Sequence, residues 1–279
     1  MARLNGDAAT LPAREVAMPR LVSIVGNRAV RWASIVAFLA GWELLARTGL
    51  FTPYMLPAFS TVLERVWSDA LSGDLPLNLG LTLYRALVGF AIAASGGIVL
   101  GVLIARVRVV RWFFDPLVSA GFPMPKIAFL PVFILWFGLY DVSKITMTVF
   151  DAIFPVITAT VAGTQAVDRH LLWSARNMGA SERELLWEII LPASLPQIMT
   201  GLQIALPIAL IVEIVTEMLM GGAGLGGAMV TASRFADSPG VFAGLVEIAI
   251  AGFCLVKGMS MLRRRLLLWH QEALEPTTV

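Results

Sequence analysis

Few residues in this 279-residue chain are of types that do chemistry, and their spacing limits what that chemistry is. Glu213 and Glu217 stand four apart, which places both carboxylates on one face of a helix. Such a pair suits acid–base work, yet no nucleophile, histidine or metal cluster accompanies it, so catalysis is not expected. An ion pair or contacts with backbone amides are the plainer readings. Lys126 sits in an apolar stretch among Pro123, Pro125 and Pro131, which weaken the local helix hydrogen bonding and so call for a protein-lined or wet surrounding. It either attracts an anion into a transport pathway, pairs with Asp151 or Glu217, or extends its ammonium to the nearest surface. Gly221, Gly222, Gly224, Gly226 and Gly227 follow the carboxylates. Lacking a preceding strand, they do not form a dinucleotide fingerprint, and they read as a flexible loop or re-entrant turn. The histidines, His170 and His270, are far apart, and Cys254 is the single cysteine. Neither a zinc site nor a disulfide framework is expected.

The elements that must position these residues lie in lipid. Hydrophobic residues make up 58% of the chain, charged residues 14%, and mean hydropathy is +0.80. A soluble domain of this size cannot hide that much apolar surface in one core, and disorder is excluded by the same figures. A net charge of +2, with the basic residues at segment ends, does not suit nucleic-acid binding. Crossing the hydrocarbon core takes roughly 20 helical residues. Six stretches qualify, at 32–50, 81–105, 116–139, 145–167, 200–220 and 241–262. They predict an all-α polytopic membrane protein, with a permease domain over 31–270 between a flexible tail at 1–30 and a short one at 271–279. Arginines collect in the first tail, in the second-to-third and fourth-to-fifth connections, and at Arg263, Arg264 and Arg265. The positive-inside rule then puts both termini in the cytoplasm. Lys144 is counted with the opposite loops, and Arg85 as an interfacial anchor of its span. Ala93, Gly97 and Gly101 recur every four residues, a face for close helix packing inside the bundle. Leu63, Val66, Trp67, Ala70 and Leu71 make one apolar face of a short helix, lying on the membrane surface or on the bundle.

The connection 168–191 is more than a linker. Asp168 is placed to cap a helix whose Leu171, Leu172, Ala175 and Met178 share a face. Gly179 stands where a helix end takes a left-handed residue. Ser181 and Glu184 have the spacing of a capping box for a second helix, which presents Leu185, Leu186, Ile189 and Ile190 and is expected to stop before Pro192. The result is a helix–glycine–helix hinge, apolar on one face, suited to a partner.

The residues Trp173, Ser174, Ala175, Arg176, Asn177, Met178, Gly179 and Ala180, followed by Leu191 and Pro192, resemble the Glu-Ala-Ala loop of bacterial ABC-importer permeases. Trp173 stands in place of the motif glutamate and Ser174 in place of the first alanine. Further stretches resemble the nitrate/sulfonate/taurine branch of that family. They are Leu56-Pro57; Thr82 to Arg85 with Gly89-Phe90; Pro123 to Ala128 with Leu130 to Gly138; and Glu217-Met218-Leu219 with Gly224-Leu225-Gly226. The likeness runs over roughly residues 55–268.

The resemblance implies a type I ABC-importer permease fold in the bacterial inner membrane. It implies a second permease copy, two ATP-binding subunits seated on the hinge and a periplasmic binding protein that delivers a small anion such as a sulfonate, nitrate or taurine. ATP and magnesium belong to the partner ATPase, and no cofactor is expected on this chain, which lacks a phosphate-loop motif. Lys126, Glu213, Glu217, Gly224 and Gly226 are the candidates for pathway or gate. Two other readings remain: a stand-alone ion-coupled transporter using Asp151, Glu213, Glu217 and Glu247, and a membrane-embedded hydrolase, for which no catalytic pattern is present.

Overall fold

A computed structural model describes residues 28–269. The tails expected at 1–27 and 271–279, and His270, lie outside the described residues. Residues 28–30, read as tail, already belong to a helix, α1 (Arg28–Arg47). Among the described residues ten helices follow one another: α1, α2 (Phe59–Ser72), α3 (Asp74–Arg106), α4 (Arg108–Gly121), α5 (Leu130–Phe137) after a 3-10 turn (Lys126–Phe129), α6 (Asp141–Gln165), α7 (Arg169–Asn177), α8 (Glu182–Met220), α9 (Leu225–Arg234) and α10 (Ser238–Leu266). No strand occurs among the described residues.

α3, α6, α8 and α10 are long and apolar enough to cross a membrane, and α4 with the segment Lys126–Phe137 makes a fifth crossing if taken together. α1 overlaps the remaining expected span, 32–50, but ends at Arg47 and is not among the helices long and apolar enough to cross. Its charged end, Glu43 and Arg47, ties it to α2: the Glu43 carboxylate accepts from the Ser60 amide at 3.1 Å and from Arg47 at 2.6 Å.

The centre is the packing of α6 between α3 and α8. Lipid chains are as apolar as leucine, so close van der Waals fit must supply association, and small residues permit it. Ala93, Ala152, Ala205 and Ala209 enclose Val156 in a fully buried cluster. Gly97 and Gly101 face Val156 and Thr160 of α6 so closely that a methyl group on either would overlap them. The four-residue repeat thus serves packing within the chain.

Two expectations are corrected, and one choice is narrowed. The third span is not a continuous helix over 116–139: its halves meet at 99° around residues 122–125. Pro123 and Pro125 offer no N–H there, so the helical ladder cannot run through. The second hinge helix does not stop before Pro192. It runs on to Met220, with a π-helical turn at Leu185–Ile190. The wider turn lies where the Pro192 ring would crowd the carbonyl four residues back. On α2, Leu63, Trp67 and Leu71 are exposed, so of the two placements expected for this face it does not lie on the bundle. The opposite side carries buried Val62 and also Arg65, which binds Asp69 and, at 2.6 Å, Asp237 before α10.

Candidate functional site: a latch, a broken span and a hinge

At one end of the bundle, three spans and the glycine loop converge on Glu217. Its side chain is fully buried. Oε1 accepts from Arg85 Nη1 at 2.7 Å and Oε2 from the Gly226 amide at 3.1 Å, while the Thr82 hydroxyl donates to both oxygens, at 2.8 Å to Oε2. Thr82 in turn accepts from the Leu225 amide at 2.9 Å. Arg85, only 5% exposed, also reaches Asp141 at 2.8 Å and the Ala223 carbonyl at 2.8 Å. Asn78 accepts from the Gly224 amide, and Lys144 donates to the Gly221 carbonyl at 3.0 Å. The loop therefore wraps the carboxylate with its own backbone. That needs glycine: Gly224 has φ +129°, and a methyl group there would overlap the Glu217 carboxylate. A methyl on Gly226 would overlap the Ile214 carbonyl.

Glu217 thus has both of the plainer roles, ion pair and amide acceptor. Glu213 shares its face, one turn below, and is also fully buried. Its Oε2 accepts from the Thr148 hydroxyl at 3.0 Å, and its Oε1 has no hydrogen-bond partner. Arg85 is not an interfacial anchor but the centre of the latch, and Lys144 is not a loop residue but a buried one inside α6, 3% exposed. The sequence carried a signal for the first: Asn78, Thr82 and Arg85 recur at helical spacing, a polar stripe at the start of an apolar helix.

The broken span holds Lys126. Its ammonium is 3.2 Å from Asp151, 3.1 Å from the Phe122 carbonyl and 4.7 Å from the centre of the Phe154 ring. Of the partners anticipated for it, Asp151 is the one found. Glu217 is engaged elsewhere.

At the other end lies the hinge. The Asp168 carboxylate caps α7 by accepting from the His170 amide at 2.8 Å. Gly179 is left-handed, φ +92°, with open space where a side chain would begin. Ser181 and Glu184 form the reciprocal box, Glu184 Oε2 accepting from the Ser181 amide at 2.7 Å. Ala175 packs with Val167, Leu185 and Ile190, with Leu172, Ala180 and Leu186 at the edge, and this small core fixes the angle between the two arms. Met178, expected on the same apolar face as Ala175, instead points outward. Trp173, Met178 and Trp187 are all more than half exposed. Ser174, Asn177 and Pro192 are exposed as well, and Leu191 is half-buried. Arg176 and Arg106 both bind Glu182, at 2.8 and 3.3 Å, and bind the hinge to the end of α3.

Broken and small-residue-packed spans, a polar latch at one end and an apolar-faced hinge at the other define a membrane permease. The comparisons give the class its family. Residues 97–267 match the family described as the binding-protein-dependent transport system inner membrane component, and the chain belongs to it. The chain is 32% identical over 244 residues to the taurine transport system permease of Escherichia coli (strain K12), covering 86% of this chain and 89% of that one. It is 32% identical to a putative aliphatic sulfonates transport permease of Bacillus subtilis (strain 168), with 83% and 84% covered. A formylaminopyrimidine transport permease of Halalkalibacterium halodurans is also 32% identical, with 83% and 92% covered. Among solved structures, an inward-facing methionine ABC transporter superposes with a TM-score of 0.63 at 16% identity, over 71% of this chain and 98% of that one. An amino acid ABC transporter follows at 0.58 and 16%, with 71% and 96% covered. The fold is that of ABC-importer membrane subunits, and the chain is an ABC-transporter permease rather than a stand-alone ion-coupled transporter.

Proposed function

We propose that this chain is one of two permease copies in an ATP-driven importer of a small organic anion of the sulfonate class. An external binding protein delivers the solute at the latch end, and an ATPase subunit docks on the hinge of each copy. ATP and its magnesium are bound by that partner, and this chain holds no cofactor. Two relatives named for taurine and aliphatic sulfonates support the substrate class. The observation that carries the coupling role is the hinge itself. Trp173, Met178 and Trp187 expose apolar surface on a rigid, capped, polar-rimmed element, the character of a contact surface rather than of a connector. Trp173 takes the place of the motif glutamate, so an apolar contact replaces a charged one.

Orientation follows from charge. Arg106, Arg108, Arg111, Arg169, Arg176, Arg183, Arg263, Arg264 and Arg265 all fall at the hinge ends of their helices. The positive-inside rule makes that end cytoplasmic, in the inner membrane of a bacterium, with both termini on the same side.

Gly179→Trp tests the docking role. Nothing in the chain itself lies within 4 Å of the new Cβ, so the added side chain starts out in open space on the docking face. The expected result is wild-type abundance in the membrane with taurine uptake and ATPase co-purification both lost. Gly179→Ala carries the same φ penalty without the bulk and is expected to keep most of both. Full uptake by the tryptophan variant refutes the docking role.

A further inference from the structure

The break in the third span has a consequence in lipid. Residues 122–125 are all exposed on the surface of the single chain and lie between helices set at 99°. They are flanked by Gly121, against whose Cα the Phe154 ring closes, and by buried Lys126. Lys126 pairs with Asp151, the eleventh residue of the 25-residue helix α6, roughly 15 Å from its start. The break is therefore close to the middle of the membrane. Non-helical backbone at that depth is tolerated only where protein covers it or water bathes it, because lipid cannot satisfy its N–H and C=O groups. This chain does not cover it.

We propose that residues 122–125 line the aqueous passage at mid-membrane, between this chain and its second copy, and that Lys126 is an anion-binding residue of that passage, with Asp151 as its resting counter-ion. Three sides of the ammonium are closed by the Phe122 carbonyl, the Phe122 ring and the Phe154 ring. The fourth is held by Asp151, whose side chain is 22% exposed. An anion thus approaches from the Asp151 side and exchanges for that carboxylate. The other charged groups of α6, Asp141 and Lys144, are committed to the latch roughly 10 Å or more along the helix. A buried lysine with its own exchangeable carboxylate offers an anion a charge-assisted contact without leaving a bare cation when the passage is empty. The proposal deepens the importer reading and rests on it for the second copy and the anionic solute.

The test reads water access and local charge, not uptake. Met124→Cys is made in a Cys254→Ser background of the assembled transporter in membrane vesicles. Its modification rate is measured with a sulfonate-bearing and a trimethylammonium-bearing thiosulfonate reagent, both water-soluble. The expected result is modification by both reagents, with the ratio of anionic to cationic rates ordered Asp151→Asn above the parent above Lys126→Met. One unit charge at roughly 6 Å and an effective dielectric constant near 40 changes the rate of one reagent about tenfold; the extremes differ by two unit charges, so their ratios should differ by well over about tenfold. The double variant Lys126→Met/Asp151→Asn removes both charges, leaves no buried ion unpaired and should show no preference. It keeps the test decisive if Lys126→Met alone does not assemble. No modification at position 124 in the assembled transporter overturns the passage. Modification with a ratio that ignores Lys126 and Asp151 overturns the anion site. Loss of taurine uptake as an activity of the parent would count against the substrate reading while leaving the rate ratios to decide the site.

Discussion

Neutralising Glu217 should unfasten the latch, and the size of the effect follows from its contacts. Glu217→Gln preserves shape but leaves one acceptor oxygen where two serve three donors: Arg85, Thr82 and the Gly226 amide. If the amide oxygen stays with Arg85, the NH2 group faces the Gly226 N–H, and a buried donor left unpaired costs about 1–3 kcal/mol. If it turns to Gly226, the NH2 faces the guanidinium of Arg85, whose side chain is 6% exposed. Breaking one partner of such a buried pair costs about 3–5 kcal/mol. Asp141 compensates little, because it is 49% exposed and a pair so placed contributes about 1 kcal/mol or less. The expected destabilisation is about 3 kcal/mol, roughly a hundredfold in the folding equilibrium. Reversible unfolding in mixed lipid–detergent micelles measures it. A double-mutant cycle with Arg85→Met isolates the pair, and its coupling should reach about 2 kcal/mol, whereas independent sites add to within about 0.5 kcal/mol. Additivity at that level would refute the latch as an energetic unit, and Asp141→Asn matching Glu217→Gln would refute the burial argument.

Further expectations follow from the same geometry. Gly224→Ala meets both a positive φ and the Glu217 carboxylate; strain alone contributes about 1–3 kcal/mol, so its unfolding free energy should fall at least that far, and a wild-type unfolding free energy would show that the loop does not close on Glu217. Ser181→Ala removes the capping box. Hydrogen exchange at the first amides of α8 should quicken roughly fivefold, while exchange at residues 205–215 stays unchanged; unaltered protection at both would remove the cap as a cause of hinge rigidity.

Comparison of particular elements shows which inferences local sequence supports. Asp168, Gly179 and the Ser181–Glu184 box were legible because each closes within three residues or so, where spacing alone brings donor to acceptor. The small-residue face was legible for a similar reason, since a four-residue repeat defines a helix side whatever it meets. Proline, by contrast, was an uneven guide. At residues 123 and 125 it was expected to weaken the span and breaks it outright, whereas at Pro192 it was expected to stop a helix and does not, because a π-helical turn absorbs the crowding. Local sequence does not distinguish those outcomes; packing on neighbouring helices does.

The sequence by itself determined the solvent, the helical class, the hinge and the resemblance that places it in a permease family. These rest on composition and on short-range periodicity, which survive without knowledge of what packs against what. Only the tertiary structure decided the partners of the buried charges. Arg85 and Glu217 are 132 residues apart, Lys144 and Gly221 77, and no local rule couples them. They meet because Ala93, Gly97 and Gly101 let α3 lie against α6, and Ala205 and Ala209 let α8 close on the same core. In a membrane a charge must find its counter-charge inside the protein. Close packing of small residues decides which one it finds.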